Sequence, residues 1–132
     1  MSERVPALLI MHADLAAALL RAAEQVYGPI TGVTVLSNEG LSRDALETRI
    51  QDIVRDWKSG GLVLTDFWGG SCHISGASVA RTRGELVIVT GINLPLLLDY
   101  LHNRDSFALD ELAERLRKKG QDSIRVQRAQ PA

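Results

Sequence analysis

Two side chains in this sequence are suited to phosphoryl chemistry, and each follows a short apolar run. His12 follows the run from Val5 to Met11, and Asp66 follows the run from Leu62 to Thr65. An imidazole can carry a phosphoryl group on one ring nitrogen while the other nitrogen keeps its proton. A carboxylate that accepts this N–H fixes the tautomer and makes the far nitrogen more nucleophilic. The two residues therefore predict a catalytic pair, provided that the fold brings them together.

A glycine turn next to this acid predicts a place for the phosphoryl oxygens. Gly69-Gly70-Ser71 precedes a predicted helix, with Ser71 as its cap. The N-terminus of a helix offers free N–H groups and the positive end of the helix dipole. We expect the Ser71 hydroxyl, the turn amides and the amides of Ala13 and Asp14 to hold the phosphoryl group. No metal or other cofactor is required, because such transfer depends mostly on orientation and charge stabilisation.

The elements that would position these residues alternate between strands and helices. Apolar runs without polar alternation predict buried parallel strands, and the segments between them have helical length and spacing. The predicted strands are Val5–Met11, Thr31–Leu36, Leu62–Asp66, Leu86–Thr90 and a short Ser123–Val126. The predicted helices are Leu15–Tyr27, Ser42 to the Gly60-Gly61 pair, Ser71–Arg81, Asn93 or Leu94 to about His102, and Phe107–Lys119 with Gly120 as C-cap.

This order predicts a doubly wound α/β fold, with a mostly parallel sheet and helices on both faces. In the flavodoxin-like strand order 2-1-3-4, strands one and three are neighbours, and ligands bind beyond their carboxyl ends. Topology thus places His12 beside Asp66. The last strand, Ser123–Val126, breaks the alternation, and it could extend a sheet edge or be exchanged with a second subunit.

Composition limits the class of protein. With 132 residues, 45% of them hydrophobic, the chain predicts one domain over 1–132 with its core at about 5–120. A net charge of -1 argues against binding to nucleic acid. The single cysteine, Cys72, suits a reducing compartment. The absence of a signal-peptide pattern and of any apolar run near the ~20 residues of a membrane span predicts a cytoplasmic protein.

Three other chemistries fit the residues less well. A response-regulator receiver would phosphorylate an acid placed like Asp66, but it needs an acidic pair for Mg²⁺ where this chain has Met11-His12. A dinucleotide fingerprint needs glycines after the first strand, and none occurs before position 28. Cys72 and His73 could add to a metal site with the first pair, but the usual paired ligand spacing is missing. We therefore predict no metal and no cofactor.

The remaining conspicuous side chains have structural interpretations. We expect Cys72 to be a small packed residue, His73 to be partly exposed and not catalytic, and His102 to end its helix without a catalytic role. Trp57 is expected in the core, whereas Trp68 could form a lid or a contact surface beside the site.

The chain resembles the IIA component of the mannose-type sugar phosphotransferase system (PTS) over about residues 5–120. Three blocks carry the resemblance: Met11-His12-Ala13-Asp14-Leu15-Ala16, Thr65-Asp66-Phe67-Trp68-Gly69-Gly70-Ser71, and Thr90-Gly91-Ile92-Asn93-Leu94-Pro95-Leu96. The resemblance implies a phosphotransferase component in which His12 accepts a phosphoryl group from the small phosphocarrier HPr and passes it to a IIB partner. It also implies that Asp66 orients the ring and that Ser71 with its neighbouring amides holds the phosphoryl oxygens.

The resemblance further implies a doubly wound α/β domain, often a homodimer with an exchanged C-terminal strand, that meets the membrane only indirectly through IIC and IID components. This chain departs from the family in two places. Ala13 stands where the family usually has glycine, and Cys72-His73 stands where proline or another residue and then phenylalanine are usual. Two alternatives stay open: a regulatory or interaction module of this fold, and a phosphoryl donor subunit for a dihydroxyacetone kinase. The sequence does not identify a sugar.

Overall fold

Four apolar runs form a parallel sheet in the computed structural model, which describes residues 4–130. The strands are β1 (Ala7–Met11), β2 (Val33–Ser37), β3 (Gly61–Thr65) and β4 (Leu86–Thr90). Their order is β2-β1-β3-β4, and every pair is parallel. The central strands β1 and β3 are buried along their whole length, as expected for strands covered on both faces. The predicted order 2-1-3-4 is confirmed.

Within the described part of the chain, five helices cover the two faces of the sheet. They are α1 (Leu15–Tyr27), α2 (Arg43–Val54), α3 (Ser71–Ala80), α4 (Leu94–Asn103) and α5 (Leu109–Asp122). Helices α1, α4 and α5 pack on one face with Leu9 and Leu64, and α2 and α3 pack on the other with Leu8 and Val63. The half-buried Trp57 packs against the core on the α2 and α3 side of the sheet, in agreement with its predicted core position. None of the helices within residues 4–130 is long and apolar enough to cross a membrane.

The side chains at two helix starts agree with the sequence. The Ser42 hydroxyl accepts a hydrogen bond from the Ala45 N–H at 3.1 Å at the start of α2. The Asn93 side chain accepts one from the Leu96 N–H at 3.0 Å at the start of α4. Such caps satisfy amides that have no partner inside the helix, so they fix where each helix begins.

The strand register decides which residues meet at the carboxyl edge. Met11 of β1 pairs with Ser37 of β2, and Ile10 pairs with Thr65 of β3. The first residue after each of these strands therefore leaves the sheet at the same edge: His12, Asn38 and Asp66.

Several predicted boundaries are wrong. Helix α2 ends at Val54 rather than at the glycine pair, and its last turn is followed by a bend in which the Trp57 N–H donates to the Val54 carbonyl. Ser71 is the first residue of α3, whose N-cap is Gly70. Gly120 is not a C-cap but lies buried inside α5. It packs so closely on Leu96 that a Cβ at position 120 would come 3.0 Å from the Leu96 side chain.

The C-terminal segment does not extend the sheet. Ser123 closes α5 with its N–H donating to the Lys119 carbonyl, and residues 124–128 have no regular secondary structure. Ile124 and Val126 are 78% and 77% exposed. The expectation of a strand on this sheet's own edge is therefore wrong, whereas exchange of 123–126 with a second subunit stays a prediction.

Candidate functional site

His12 and Asp66 meet at the carboxyl edge of the sheet. The imidazole Nδ1 lies 2.8 Å from Asp66 Oδ2, and the same oxygen accepts the His12 backbone N–H at 3.0 Å. An ionised carboxylate can only accept hydrogen bonds, so Nδ1 carries the ring proton and Nε2 has a free lone pair. The predicted contact between the two side chains is confirmed, and it fixes both the backbone and the ring of the histidine.

The surroundings of Asp66 favour its charged form. Burial of the side chain raises its pKa, and the hydrogen bonds from the His12 backbone and ring, a backbone hydrogen bond within residues 66–67 and the attraction of the imidazole together lower it. The net effect holds the pKa of Asp66 below its ordinary value. Asp66 is therefore an anion at neutral pH, and it can stabilise positive charge on the imidazole ring.

The other ring nitrogen faces the start of α3. His12 Nε2 lies 3.3 Å from the Ser71 hydroxyl oxygen. The N-cap of α3 is Gly70, which has no side chain to cap the first turn, so the amides of this turn can bind an anion. A nucleophilic nitrogen, a hydroxyl group and a helix N-terminus thus converge on one point at the surface.

One aromatic ring stacks on the imidazole, and a second lies against the neighbouring His73. The Phe67 ring stacks on His12 with a centroid distance of 5.1 Å and an interplanar angle of 26°. Gly70 allows this arrangement, since a Cβ at position 70 would come 2.7 Å from the Phe67 ring. Trp68 is 77% exposed and lies 4.3 Å from the ring of His73. Together Phe67 and Trp68 form an exposed aromatic surface beside the site, which the sequence predicted only for Trp68.

His73 has a structural contact within the glycine turn. Its Nδ1 accepts the Gly69 N–H at 2.9 Å, and Gly69 has a φ of +87° that favours glycine. The Gly69 amide, predicted to face a phosphoryl group, is thus already engaged. His73 is half-buried, which agrees with the expectation of a partly exposed side chain, and that it is not catalytic stays a prediction. His102 lies in the last turn of α4, one residue before its end, and its ring is edge-on to Tyr27 at a centroid distance of 5.0 Å.

Asn38 is a member of the site that sequence reasoning missed. Its Oδ1 accepts the Ala13 N–H at 3.2 Å, and its Nδ2 donates to the Ser71 hydroxyl oxygen at 3.3 Å. The Ala13 amide is therefore engaged by a side chain, as the Gly69 amide is. Ala13 also has a positive φ, of +51°. The available signal was position: Asn38 follows β2 directly, and β2 is the neighbour of β1.

Cys72 lies fully buried beneath the imidazole, with Sγ 3.9 Å from His12 Nδ1. Burial, with a contribution from the Asp66 charge, raises the pKa of Cys72 to about 11, so the thiol stays protonated. Ligand-type atoms of His12, Asp66 and Cys72 all lie within 4.8 Å of one another. However, two ligands of a tetrahedral zinc at about 2.0 Å would lie about 3.3 Å apart. The 2.8 Å between Nδ1 and Oδ2 instead matches a direct hydrogen bond.

The fold and this site define a class: doubly wound α/β domains with a histidine–carboxylate pair at the strand-order switch. The family model described as "PTS system fructose IIA component" matches residues 7–117. The chain therefore belongs to this mannose-type family of PTS IIA components.

Individual relatives agree with this assignment. The chain is 27% identical over 120 residues to the PTS system fructose-specific EIIA component of Bacillus subtilis (strain 168), covering 87% of this chain and 81% of the relative. It is similar to the crystal structure of the PTS IIA protein associated with the fucose utilization operon from Streptococcus pneumoniae, with a TM-score of 0.83, 27% identity, and coverage of 95% and 94%. A crystal structure of phosphotransferase system component EIIA from Streptococcus agalactiae has a TM-score of 0.86 at 21% identity, covering 92% and 96%, and this likeness concerns the fold.

Proposed function

We propose that this chain is a cytoplasmic phosphocarrier of the PTS, in which His12 accepts a phosphoryl group from HPr and passes it to a separate IIB protein. The observation that carries the proposal is the hydrogen bond from His12 Nδ1 to Asp66, which leaves Nε2 directed at Ser71. Family membership supports the same conclusion independently.

In the proposed reaction, the lone pair of Nε2 forms a bond to the phosphorus atom of the donor. The bond between phosphorus and the donor's leaving atom breaks, and its electron pair stays with the donor. The Nδ1 proton remains in place, and Asp66 stabilises the positive charge that develops on the ring. Transfer onward reverses these steps toward the acceptor, so His12 returns to its starting tautomer.

Ser71 and Gly70 are the proposed contacts for the phosphoryl oxygens. The Ser71 hydroxyl, which points at Nε2 in the unphosphorylated chain, would turn to a phosphoryl oxygen, and the exposed amides at the α3 N-terminus add further donors. Gly69 and Ala13, also predicted as phosphoryl-binding residues, have their amides engaged by His73 and Asn38. In this proposal they shape the two turns instead of contacting the ligand.

The exposed aromatic surface gives partner proteins a place to dock. Phe67, which stacks on His12, and the adjacent Trp68 are 52% and 77% exposed, and aromatic side chains are enriched at protein interfaces. We propose that HPr and IIB use this surface in turn, because each must bring its own phosphoryl-carrying atom to Nε2. The exchanged segment 123–126 would belong to a homodimer.

The test is phosphorylation followed by intact mass. Purified chain is incubated with phosphoenolpyruvate, enzyme I and HPr, and we expect one acid-labile gain of about 80 Da. His12→Ala should abolish the gain, whereas His73→Ala, a matched histidine in the same region, should keep it. An unlabelled wild type beside a labelled control IIA protein would contradict the proposal.

The protein that accepts the phosphoryl group from this chain distinguishes a transport role from the two alternative functions. Labelled chain is chased with IIB protein or with a dihydroxyacetone kinase, and loss of the label to IIB is the expected result. Loss only to the kinase, or a label that neither protein removes, would replace the transport role with the donor-subunit or regulatory alternative.

A further inference from the structure

We propose that Asn38 is a positioning residue for phosphoryl transfer at His12, an inference that rests on the function proposed above. Its side-chain amide joins the residues that follow β1 and β3: Oδ1 accepts the Ala13 N–H at 3.2 Å, and Nδ2 donates to the Ser71 oxygen at 3.3 Å. Asn38 itself follows β2, so one half-buried amide connects three strand ends around the nucleophile.

The first contact holds a backbone conformation that alanine rarely adopts. Ala13 has a φ of +51°, in the left-handed region where a Cβ is unfavourable. This residue links His12 to helix α1, whose first turn is anchored by the Leu15 N–H donating to the His12 carbonyl. Any relaxation of Ala13 would therefore rotate His12 away from Asp66. The Asn38 acceptor opposes that relaxation by binding the Ala13 amide in its strained position.

The second contact sets the direction of the serine hydroxyl. A hydroxyl has one proton and two lone pairs, and Asn38 Nδ2 occupies one lone pair of Ser71. The Ser71 proton is thereby directed to the opposite side, where His12 Nε2 lies at 3.3 Å. When Nε2 carries a phosphoryl group, the same direction points the proton at its oxygens. Asn38 thus prepares Ser71 as a donor without touching the phosphoryl group.

The chemistry of the amide makes the inference testable by comparing Asn38→Asp with Asn38→Ala. The aspartate keeps an acceptor for Ala13, but it loses the donor to Ser71 and adds a negative charge near an incoming phosphoryl group. If Asn38 only stabilised the loop, the aspartate would be the milder change. If it positions Ser71 for transfer, the aspartate should be the more damaging one.

The experiment measures transfer from purified phospho-HPr by rapid quench and intact mass, with kcat and KM determined separately. We expect Asn38→Ala to lower kcat about 10- to 100-fold, since small misplacement of reacting groups has effects of this size, with little change in KM. Asn38→Asp should lose more. Asn103→Ala is the matched control. Asn103 is a half-buried asparagine at the end of α4 whose Nδ2 donates to the Asp99 carbonyl, and kcat of this variant should stay within twofold of the wild type.

A double-mutant cycle tests the strain directly. Glycine adopts positive φ without cost, so the loss on Asn38→Ala should shrink several-fold when Ala13→Gly is also present. Thermal unfolding of each variant confirms that folded protein is being compared. Two outcomes would overturn this inference alone, provided that the wild type is labelled. One is a kcat of Asn38→Ala within twofold of the wild type, and the other is a higher kcat for Asn38→Asp than for Asn38→Ala. An unlabelled wild type would instead overturn the proposed function.

Discussion

Polar side chains cluster at both the carboxyl and the amino edge of the sheet, and the two clusters differ in what they leave at the surface. At the carboxyl edge, the contacts of His12 hold Nδ1 and leave Nε2 at the surface beside Ser71. At the opposite edge, the buried Arg104 donates to the Thr31 carbonyl at 2.6 Å, and the Tyr100 hydroxyl donates to the Val5 carbonyl. The polar groups there satisfy one another.

Cavity volume and helix direction point to opposite edges of the sheet. A cavity of about 660 Å³ lies at the amino edge between Trp57 and Phe107. The helix N-termini, however, lie at the carboxyl edge, where α1 and α3 begin directly after β1 and β3. Their dipoles and free amides favour anions there. The direction of the strands and helices therefore favours the carboxyl edge as the anion site, although a cavity of about 660 Å³ lies at the amino edge.

The largest expected effect comes from replacing Asp66 at the carboxyl edge, and an acid at the amino edge provides the control. Asp66→Asn should lower phosphoryl transfer from phospho-HPr by about 100-fold or more, because an amide can donate to Nδ1 and favour the tautomer with Nε2 protonated. The matched Asp105→Asn removes the exposed partner of Arg4 at the amino edge and should leave transfer unchanged. Equal losses in the two variants, measured by rapid quench, would remove the contrast between the edges.

A substitution at the amino edge should lower the stability of the fold and leave phosphoryl transfer unchanged. Arg104→Ala leaves the Thr31 carbonyl without its buried donor and removes the cation 5.8 Å above the Tyr100 ring. We expect the free energy of unfolding to fall by about 2 kcal/mol, measured by urea denaturation. Transfer by the folded variant should match the wild type. A large loss of transfer in fully folded Arg104→Ala protein would mean that the two edges are coupled.

A smaller effect is expected at the glycine next to the imidazole. Gly70→Ala places a methyl group against the Phe67 ring, so Phe67 must move from its stacked position on His12. We expect transfer to fall about 5- to 10-fold through misorientation of the ring. The control is Gly84→Ala, since nothing lies within 4 Å of a Cβ at position 84. Unchanged transfer in Gly70→Ala would show that the aromatic stacking does not orient His12.

The smallest effect concerns the pH dependence of stability. Because the folded state lowers the pKa of Asp66, its ionised form contributes stability that is fully present above the ordinary carboxylate pKa of about 4. That contribution is lost as the pH falls through the folded pKa. The difference in unfolding free energy between the wild type and Asp66→Asn should therefore narrow in acid. A difference that stays constant from pH 7 to about pH 2.5 in urea denaturation would contradict the depressed pKa.

Much of the fold could be predicted because burial constrains the sequence. The apolar runs of β1 and β3 favour central strands, and short loops between alternating elements favour a doubly wound sheet, for which the flavodoxin-like order β2-β1-β3-β4 was predicted and is observed. That order was enough to predict the contact of His12 with Asp66. The errors in the helices concern where each helix begins or ends. Gly120, for example, suits both a C-cap and a helix interior, and only its packing on Leu96 decides between the two.

The network around the pair could not be predicted in the same way. Asn38 lies in a polar loop, where an asparagine is expected for turn formation, and nothing local shows that its amide reaches Ala13 and Ser71. In the same way, local sequence does not show that His73 accepts the Gly69 N–H. These contacts depend on side-chain directions at loop tips, which hydrophobic periodicity does not specify.

The sequence by itself determined the strand order, the family and the pairing of His12 with Asp66, because hydrophobic patterning and topology act along the chain and over whole elements. Only the tertiary structure decided which amides are engaged, that Nε2 faces Ser71, and that Ser123 ends a helix instead of starting a strand on this sheet. The physical reason is range: hydrogen bonds form within about 3 Å, and that precision comes only when distant segments are packed against one another.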